Sequence, residues 1–342
     1  MAWRHPHDSR PRPIARAGRA AHLLRQRSGS LFATRTSRRG PLPGYRVAVQ
    51  PSPSPDVVGL VLARPARLLA IEPFFMELVA GIEEVLTATD RSLLLHVVHD
   101  LDAELATYAR WTRNGTVGAV VVTNVRTDDP RPAALRELGL PYVVAGGPRP
   151  EDDAPHVWID NARPARDAVG YLADLGHTVV ARVTGPAVFA HTRTRTDAFL
   201  ERCRTAGVVP HVVEGEYTEE SGARATDELL GLDPRPTAVV YDNDVMAIGG
   251  LEHARSAGLR VPEDLSIVAW DDSALCRLSS PPLSAMHHDV HGMGRLIGEA
   301  VLDAVEGTVP TTRTAPFPRL LVRGSTAPPP AATDAPGDVS TR

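Results

Sequence analysis

From residue 57 onward the chain alternates short, unbroken apolar runs with longer segments whose apolar residues recur every three or four places. Residues 57–62 (VVGLVL) are the first run; Phe75, Leu78, Val79, Ile82 and Leu86 then recur at helical spacing on one face. A run that is apolar at every position suits a strand covered on both sides, as in a parallel sheet whose crossover helices lie over both faces. Further strands are expected at 93–98, 118–123 and 142–145, separated by helical segments at 103–113 and 133–138. This alternation predicts a parallel sheet with helices on both faces.

The pattern then restarts. A strand at 157–159 precedes a helix over 162–175 ending at Gly176, then a strand at 179–184. A helix over 192–205 stops at Ala206-Gly207, the glycine suiting the position just past a helix end. Segments 208–213, 219–230, 237–241, 244–257 and 266–270 continue as strand, helix, strand, helix, strand, before a long helix at 290–306 and a strand at 319–322. A length of 342 residues is ample for two domains. The predicted fold class is α/β: two doubly wound parallel-sheet lobes with a ligand cleft between them.

The first 56 residues differ. They hold 11 Arg against 2 Asp, a balance of +9, while the other 286 hold 26 Arg against 39 acidic residues, −13, giving the overall −4. All 37 basic residues are Arg, so Arg abundance reflects codon usage and is a weak sign of nucleic-acid binding. Eight prolines punctuate the segment; an amphipathic helix fits 14–26, but 27–39 has no periodicity. Residues 1–56 read as an Arg/Pro-rich, disordered basic tail, and 325–342, with Pro328-Pro329-Pro330, as a second disordered tail. The basic start is not followed by an apolar stretch of about 7–15 residues, so no secretory signal is expected. Nor does any apolar run reach the roughly 20 residues of a membrane span. The expectation is a cytoplasmic protein without a membrane partner. Two cysteines, Cys203 and Cys276, are too few for a disulfide scaffold or a four-cysteine zinc site and read as buried small residues.

Residues 56–325, close to four fifths of the chain, resemble the effector-binding portion of the lactose/galactose repressor (LacI/GalR) family. The resemblance rests on the order and spacing of VVGLVL at 57–62, PFFMELVAGIEEVL at 73–86, IDNARPARDAVGYLADLGH at 159–177 and the arginine-rich helix start at 193–199. AVVYDNDVMAIGGL at 238–251, AGLRVPEDLSIVAWDD at 257–272, LSSPPLSAM at 278–286, GMGRLIGEAVLDAVEG at 292–307 and LLVRGST at 320–326 complete it. It implies a periplasmic-binding-protein-like fold of type I, with residues 57–156 plus about 288–320 as one lobe and 157–287 as the other. Family members begin with a helix-turn-helix and hinge helix of about the length of this 56-residue segment, yet no Ala-x-x-Ala-Gly-Val-Ser turn, recognition helix or hinge helix is legible here. Either a basic tail replaces the DNA-reading head or the start lies in another reading frame; the matching length and the abrupt loss of pattern favour the second.

Six residues are candidates for ligand contact. Asp271 follows the strand at 266–270, where a carboxylate can accept paired hydrogen bonds from neighbouring sugar hydroxyls. Asn243 follows the strand at 237–241 and offers both donor and acceptor, with Asp244 as the N-cap of the next helix. Arg193 and Arg195 open a helix and present planar guanidinium groups; Arg195 matches the family's effector arginine. Of Phe74 and Phe75, one ring should stack on an apolar sugar face while the other joins the core. The resemblance also places Glu72 where relatives often carry Asn or Asp, and Gly146 where many carry a charged contact residue.

His287, His288, Asp289 and His291 form a histidine cluster, which reads as a lobe-crossing segment with one cleft-facing histidine and no metal. No G-x-S-x-G elbow, G-x-x-x-x-G-K-[ST] loop or G-x-G-x-x-G is present, and a chain without Lys has no Schiff-base lysine. No enzyme activity, catalytic residue or cofactor is expected. The predicted function is a ligand-responsive, repressor-like regulator sensing a sugar or similar polyol and acting as a homodimer on operator DNA. A stand-alone small-molecule-binding module is the alternative.

Overall fold

The computed structural model describes residues 56–64, 73–147, 154–308 and 312–330. The first half of the chain lays down β1 (Val57–Ala63), β2 (Ser92–Val98), β3 (Ala119–Val122), β4 (Tyr142–Ala145) and β5 (His156–Trp158). The second half repeats the theme with β6 (Val179–Thr184), β7 (Val209–Glu214), β8 (Ala238–Tyr241), β9 (Ser266–Trp270) and β10 (Ser284–His287). Two late strands, β11 (Thr312–Thr314) and β12 (Arg319–Leu321), add one edge to each sheet. The first sheet runs β11-β5-β4-β3-β1-β2 and the second β12-β10-β9-β8-β6-β7. All neighbours pair in parallel except β10 and β12.

Both sheets are thus wound in the same order, with a switch point between β1 and β3 in one and between β6 and β8 in the other. Crevices that hold ligands open at such points, beyond the carboxyl ends of the strands.

Helices α1 (Pro73–Thr87), α2 (Leu101–Asn114), α3 (Arg131–Leu138) and α9 (Val290–Glu306) cover the first sheet. Leu60, Leu62, Val121 and Val143 meet Phe75, Leu78, Ile82, Ile297 and Val301 on one face; Val61, Val120, Val122 and Val144 meet Tyr108, Trp111 and Leu135 on the other. The second sheet is covered likewise, by α4 (Ala162–Asp174) and α5 (Ala190–Ala206) on one face, α6 (Glu219–Leu230) and α7 (Asp244–Ser256) on the other. Each fully buried aliphatic side chain contributes about 1.5–3 kcal/mol by leaving water, which is why strands apolar at every position need both layers. Gly81 on α1 and Gly294 on α9 let the two helices touch backbone to backbone, since a Cβ on either would collide with the other helix. Cys203 and Cys276 are both buried, as expected.

Three elements lie outside the sequence expectation: β10, β11 and the short helix α8 (Ala274–Leu278). Ser284–His287 (SAMH) contains no β-branched residue and β11 has only three residues, so neither carries a strand signal. The lobe boundary after β4 also differs from the expectation: β5 (His156–Trp158) pairs with β4, so residues 157–158 belong to the first sheet and not to the second lobe. Leu320 and Leu321 pair with the second sheet, so the last crossing between sheets falls between β11 and β12, close to the expected limit near 320.

The stretch from 325, expected to be disordered, opens with residues held firmly on the second sheet. Ser325 Oγ donates to the Ile267 carbonyl at 2.6 Å and accepts from Ser284 N at 2.8 Å, and Ala327 N donates to Ser266 Oγ at 3.0 Å. The expected tail over 1–55 with its helix at 14–26, residues 331–342, and Glu72 lie outside the described residues.

Candidate functional site

The carboxyl ends of the switch-point strands converge on one cavity of about 120 Å³ between the sheets. From the first sheet come Arg64 after β1, Thr123 and Asn124 after β3, and Gly146-Gly147 after β4. Asn124 has φ +48° and the two glycines +80° and +70°, left-handed values that glycine adopts without cost. The start of α1 supplies Phe74 and Phe75. Both rings line the cavity, 5.2 Å apart and edge to face at 84°. Phe75 is at the same time core, while Phe74 is half-buried, so the division of labour expected between them holds only for burial. The Arg64 guanidinium lies 4.6 Å above the Phe75 ring, and burial lowers its pKa to about 10.

The second sheet supplies the charge. Asp242, the residue after β8, is fully buried; burial opposes its ionisation, but Arg182 and Arg195 outweigh that and hold the carboxyl below its usual range. The next residue corrects the expectation for the helix start. Asn243, not Asp244, is the N-cap of α7: its backbone is extended (φ −151°, ψ 168°) and Oδ1 accepts from Met246 N at 2.8 Å. Its Nδ2 donates to the Tyr217 carbonyl at 3.3 Å, so both ends of the amide are engaged although the residue lines the cavity. Asp244 instead lies inside the first turn, buried, with Oδ2 lacking a hydrogen-bond partner among the described residues; burial raises its pKa.

Asp271 follows β9 with φ +68° and faces the same cavity. Burial, reinforced by the neighbouring Asp244 carboxyl and opposed by Arg195, pushes its pKa up to about 8. Arg195, on α5, stacks 3.9 Å over the Trp270 ring, donates from Nε to Asn161 Oδ1 at 2.9 Å and reaches the Asp242 carbonyl at 3.5 Å. The fold therefore brings Phe74, Phe75, Arg195, Asn243 and Asp271 to one cavity. Arg193 is exposed and lines an adjoining pocket instead.

The histidine cluster disperses onto separate partners. His287 pairs with Asp272 at 3.3 Å, which Arg323 also holds, and His291 pairs with Glu84 at 2.7 Å. His288 is the cleft-facing one; burial beside Trp270, 5.6 Å away, lowers its pKa to about 3 and keeps the ring neutral. Among the described residues no three His, Cys, Asp or Glu side chains are placed to hold a metal.

Sequence reasoning missed Arg64, Asn124, Asn161, His191 and Tyr217, all of which line the cavity. Arg64 and Asn124 follow strand ends and were open to the same positional argument as Asp271. His191 and Tyr217 carry no local signal. They meet only in three dimensions, where His191 Nε2 and the Tyr217 hydroxyl lie 2.8 Å apart, and burial lowers the His191 pKa to about 3.

Comparison with known proteins agrees with this fold. The periplasmic binding protein-like domain family matches residues 169–326. The chain is similar to the HTH-type transcriptional regulator CelR of Thermobifida fusca, 32% identical over 284 residues that cover 79% of this chain and 81% of the relative. Among solved structures it resembles a LacI family transcriptional regulator from Bifidobacterium animalis subsp. lactis, 34% identical with a TM-score of 0.74, covering 80% of this chain and 98% of the other. It also resembles a complex of the transcriptional regulator CelR with cellobiose, 30% identical with a TM-score of 0.74, covering 81% of this chain and 86% of that one. The chain belongs to the LacI/GalR family of transcriptional regulators, ligand-responsive proteins rather than enzymes.

Proposed function

We propose that the cleft binds a small polyhydroxylated molecule, in the first instance a sugar, and that occupancy sets the chain's activity as a repressor-like regulator. The observation that carries this reading is the convergence of Asp271 and Arg195 with the Phe74–Phe75 pair around one cavity. A pyranose has polar edges and an apolar face. The Asp271 carboxyl accepts or donates at adjacent hydroxyls, Arg195 donates, Asn243 fixes the loop between them, and a Phe ring covers the C–H face. Drawing residues from both sheets toward one ligand favours a closed arrangement of the lobes, and differential binding to that arrangement is what a regulator transmits.

The regulator would act in the cytoplasm as a homodimer on two-fold operator DNA. Light scattering at micromolar concentration tests the dimer, and a monomer throughout contradicts it. Calorimetry of the full chain against a sugar panel tests the site. Asp271→Ala should weaken binding by about 1.5–3 kcal/mol for each charge-assisted bond lost, and equal affinity in wild type and variant overturns the assignment.

A stand-alone binding module without sequence-specific DNA recognition is the second reading, favoured by the missing helix-turn-helix pattern in 1–56. A mobility-shift titration separates the two. Binding through phosphates alone is indifferent to sequence and falls steeply with salt, whereas operator recognition survives physiological salt.

A further inference from the structure

Besides the segments of chain that cross between the sheets, two loops tie the lobes together directly. Residues 125–127, after β3, lie antiparallel to residues 188–190, after β6, with Arg126 and Phe189 as the paired residues. Ala190 N donates to the Val125 carbonyl at 2.8 Å, and Thr127 N donates to the Val188 carbonyl at 3.2 Å. Two main-chain bonds flanking one residue pair are the smallest unit of an antiparallel ladder, here closed between two separate sheets. Side chains follow the backbone. Val125 and Ala190 are buried in one apolar cluster, and Val125 fills the space where a Cβ on Gly147 would stand. Val125 lines the cavity and Thr127 the adjoining pocket, so the ladder forms part of the wall between them.

The same ladder completes α5. A helix start leaves its first N–H groups without acceptors inside the helix. Phe189, the residue before α5, offers them no side-chain acceptor, and the Val125 carbonyl of the other lobe takes the first. The helix that carries Arg195 is therefore capped from across the cleft. A buried ionic group fixes the first lobe's half of the ladder. Asp129 accepts from Arg126 N and Arg131 N, both at 3.0 Å, and from Arg131 Nε at 2.9 Å. Arg131 Nη1 donates to Glu104 on α2 at 2.9 Å, and Nη2 to the Asn124 carbonyl at 3.1 Å. The Asp129 and Arg131 side chains are 7% and 4% exposed, and neither residue lines the cavity or the adjoining pocket. A buried ion pair adds little net stability, because desolvation offsets its attraction. What this one does is hold the loop over 124–131 in a single conformation.

We infer that residues 125–127 and 188–190 form a main-chain clasp that holds the lobes together without help from a ligand, with Asp129 as its positioning residue. Parting the clasp uncaps α5, so opening the cleft and releasing the helix that places Arg195 are one event. None of this depends on the cleft ligand being a sugar.

The test is hydrogen exchange on the full chain with no ligand added, read at the Ala190 amide, with the amides of β3 and β6 as internal references. Two variants are compared with the wild type. Thr127→Pro deletes one clasp donor at an exposed residue that opens a turn, a place where proline fits. Asp129→Ala removes the loop's acceptor and leaves Arg131 its Glu104 partner. In the wild type the Ala190 amide should be protected. Both variants should speed its exchange about tenfold, across the cleft from the substitution, while β3 and β6 keep their protection. An unprotected Ala190 in the wild type, or unchanged exchange there in Thr127→Pro, overturns the clasp. Faster exchange in Thr127→Pro but not in Asp129→Ala keeps the clasp and overturns the role of Asp129.

Discussion

Arg182 holds Asp242 by both carboxylate oxygens, Nη2 lying 2.6 Å from Oδ1 and 2.8 Å from Oδ2, with both side chains buried. The pair ties β6 to β8 across the switch point of the second sheet. Gly185 N adds a bond to Oδ2 at 3.1 Å, and the Asp242 carbonyl is what Arg195 reaches at 3.5 Å. A buried ion pair thus sets the floor on which a cleft-facing arginine rests.

Removing one partner of that pair strands the other charge in the interior. Arg182→Met should destabilise the protein by about 3–5 kcal/mol, while adding Asp242→Leu should recover most of the loss. Urea unfolding of the single and double variants reads both values. A single variant as stable as the wild type would contradict the pair's assigned role.

Asp271 makes stability depend on pH in an unusual direction. Its pKa rises from 3.8 to about 8 in the fold, so the folded state keeps a proton that the unfolded state gives up. The contribution is complete below pH 3.8 and is lost as pH climbs toward 8. Asp271→Asn should flatten the decline in melting temperature across that window. The same shift predicts that a sugar engaging the ionised carboxylate releases a proton on binding. Calorimetry in buffers of different ionisation enthalpy detects it, and buffer-independent heats near pH 7 exclude it.

His191 and His288 act at lower pH with the opposite sign. Burial lowers both from 6.5 to about 3, so the unfolded state takes up protons that the fold refuses. Their stability is full above pH 6.5 and is lost as pH falls toward 3. His288→Gln should make acid unfolding less steep in that range. Superimposable profiles for wild type and variant would show that the ring titrates in the fold.

The contact between α1 and α9 leaves no room for side chains at Gly81 and Gly294. Gly294→Val should cost about 1–3 kcal/mol or more, because the nearest atoms are backbone and cannot swing aside. Thermal melting measures it. A variant within error of wild type would mean the two helices can slide apart freely.

Much of the fold was legible because burial on two faces leaves a periodic trace. β1 and β3 are apolar at every position, β6 and β9 are so but for Arg182, Thr184 and Ser266, and α1 repeats at helical spacing, so winding and lobe count follow from the pattern. Strands without that trace were not: SAMH at β10 and the three residues of β11 acquire their state from neighbours already in place. Ser325 and Ala327 were read as tail because a polar, proline-rich stretch has no periodicity, yet their hydrogen bonds fasten them to Ser284, Ile267 and Ser266.

The sequence by itself determined which residues stand at strand ends, and hence that Asp271, Asn243 and the Phe74–Phe75 pair face a crevice. Tertiary structure alone decided how each is used. Asn243 became the cap because its backbone is extended while that of Asp244 is already helical, a dihedral choice the dipeptide leaves open. Arg195 and Arg193 lie two residues apart on one helix, and the rotation of α5 sends the first over Trp270 and the second to the adjoining pocket. His191 and Tyr217 come together across 26 positions, and the pKa of Asp271 rests on exclusion of water by residues from both sheets. Strand ends are a property of local pattern, whereas protonation, capping and pairing depend on which groups exclude water and which lie within hydrogen-bond reach, and the packed chain sets both.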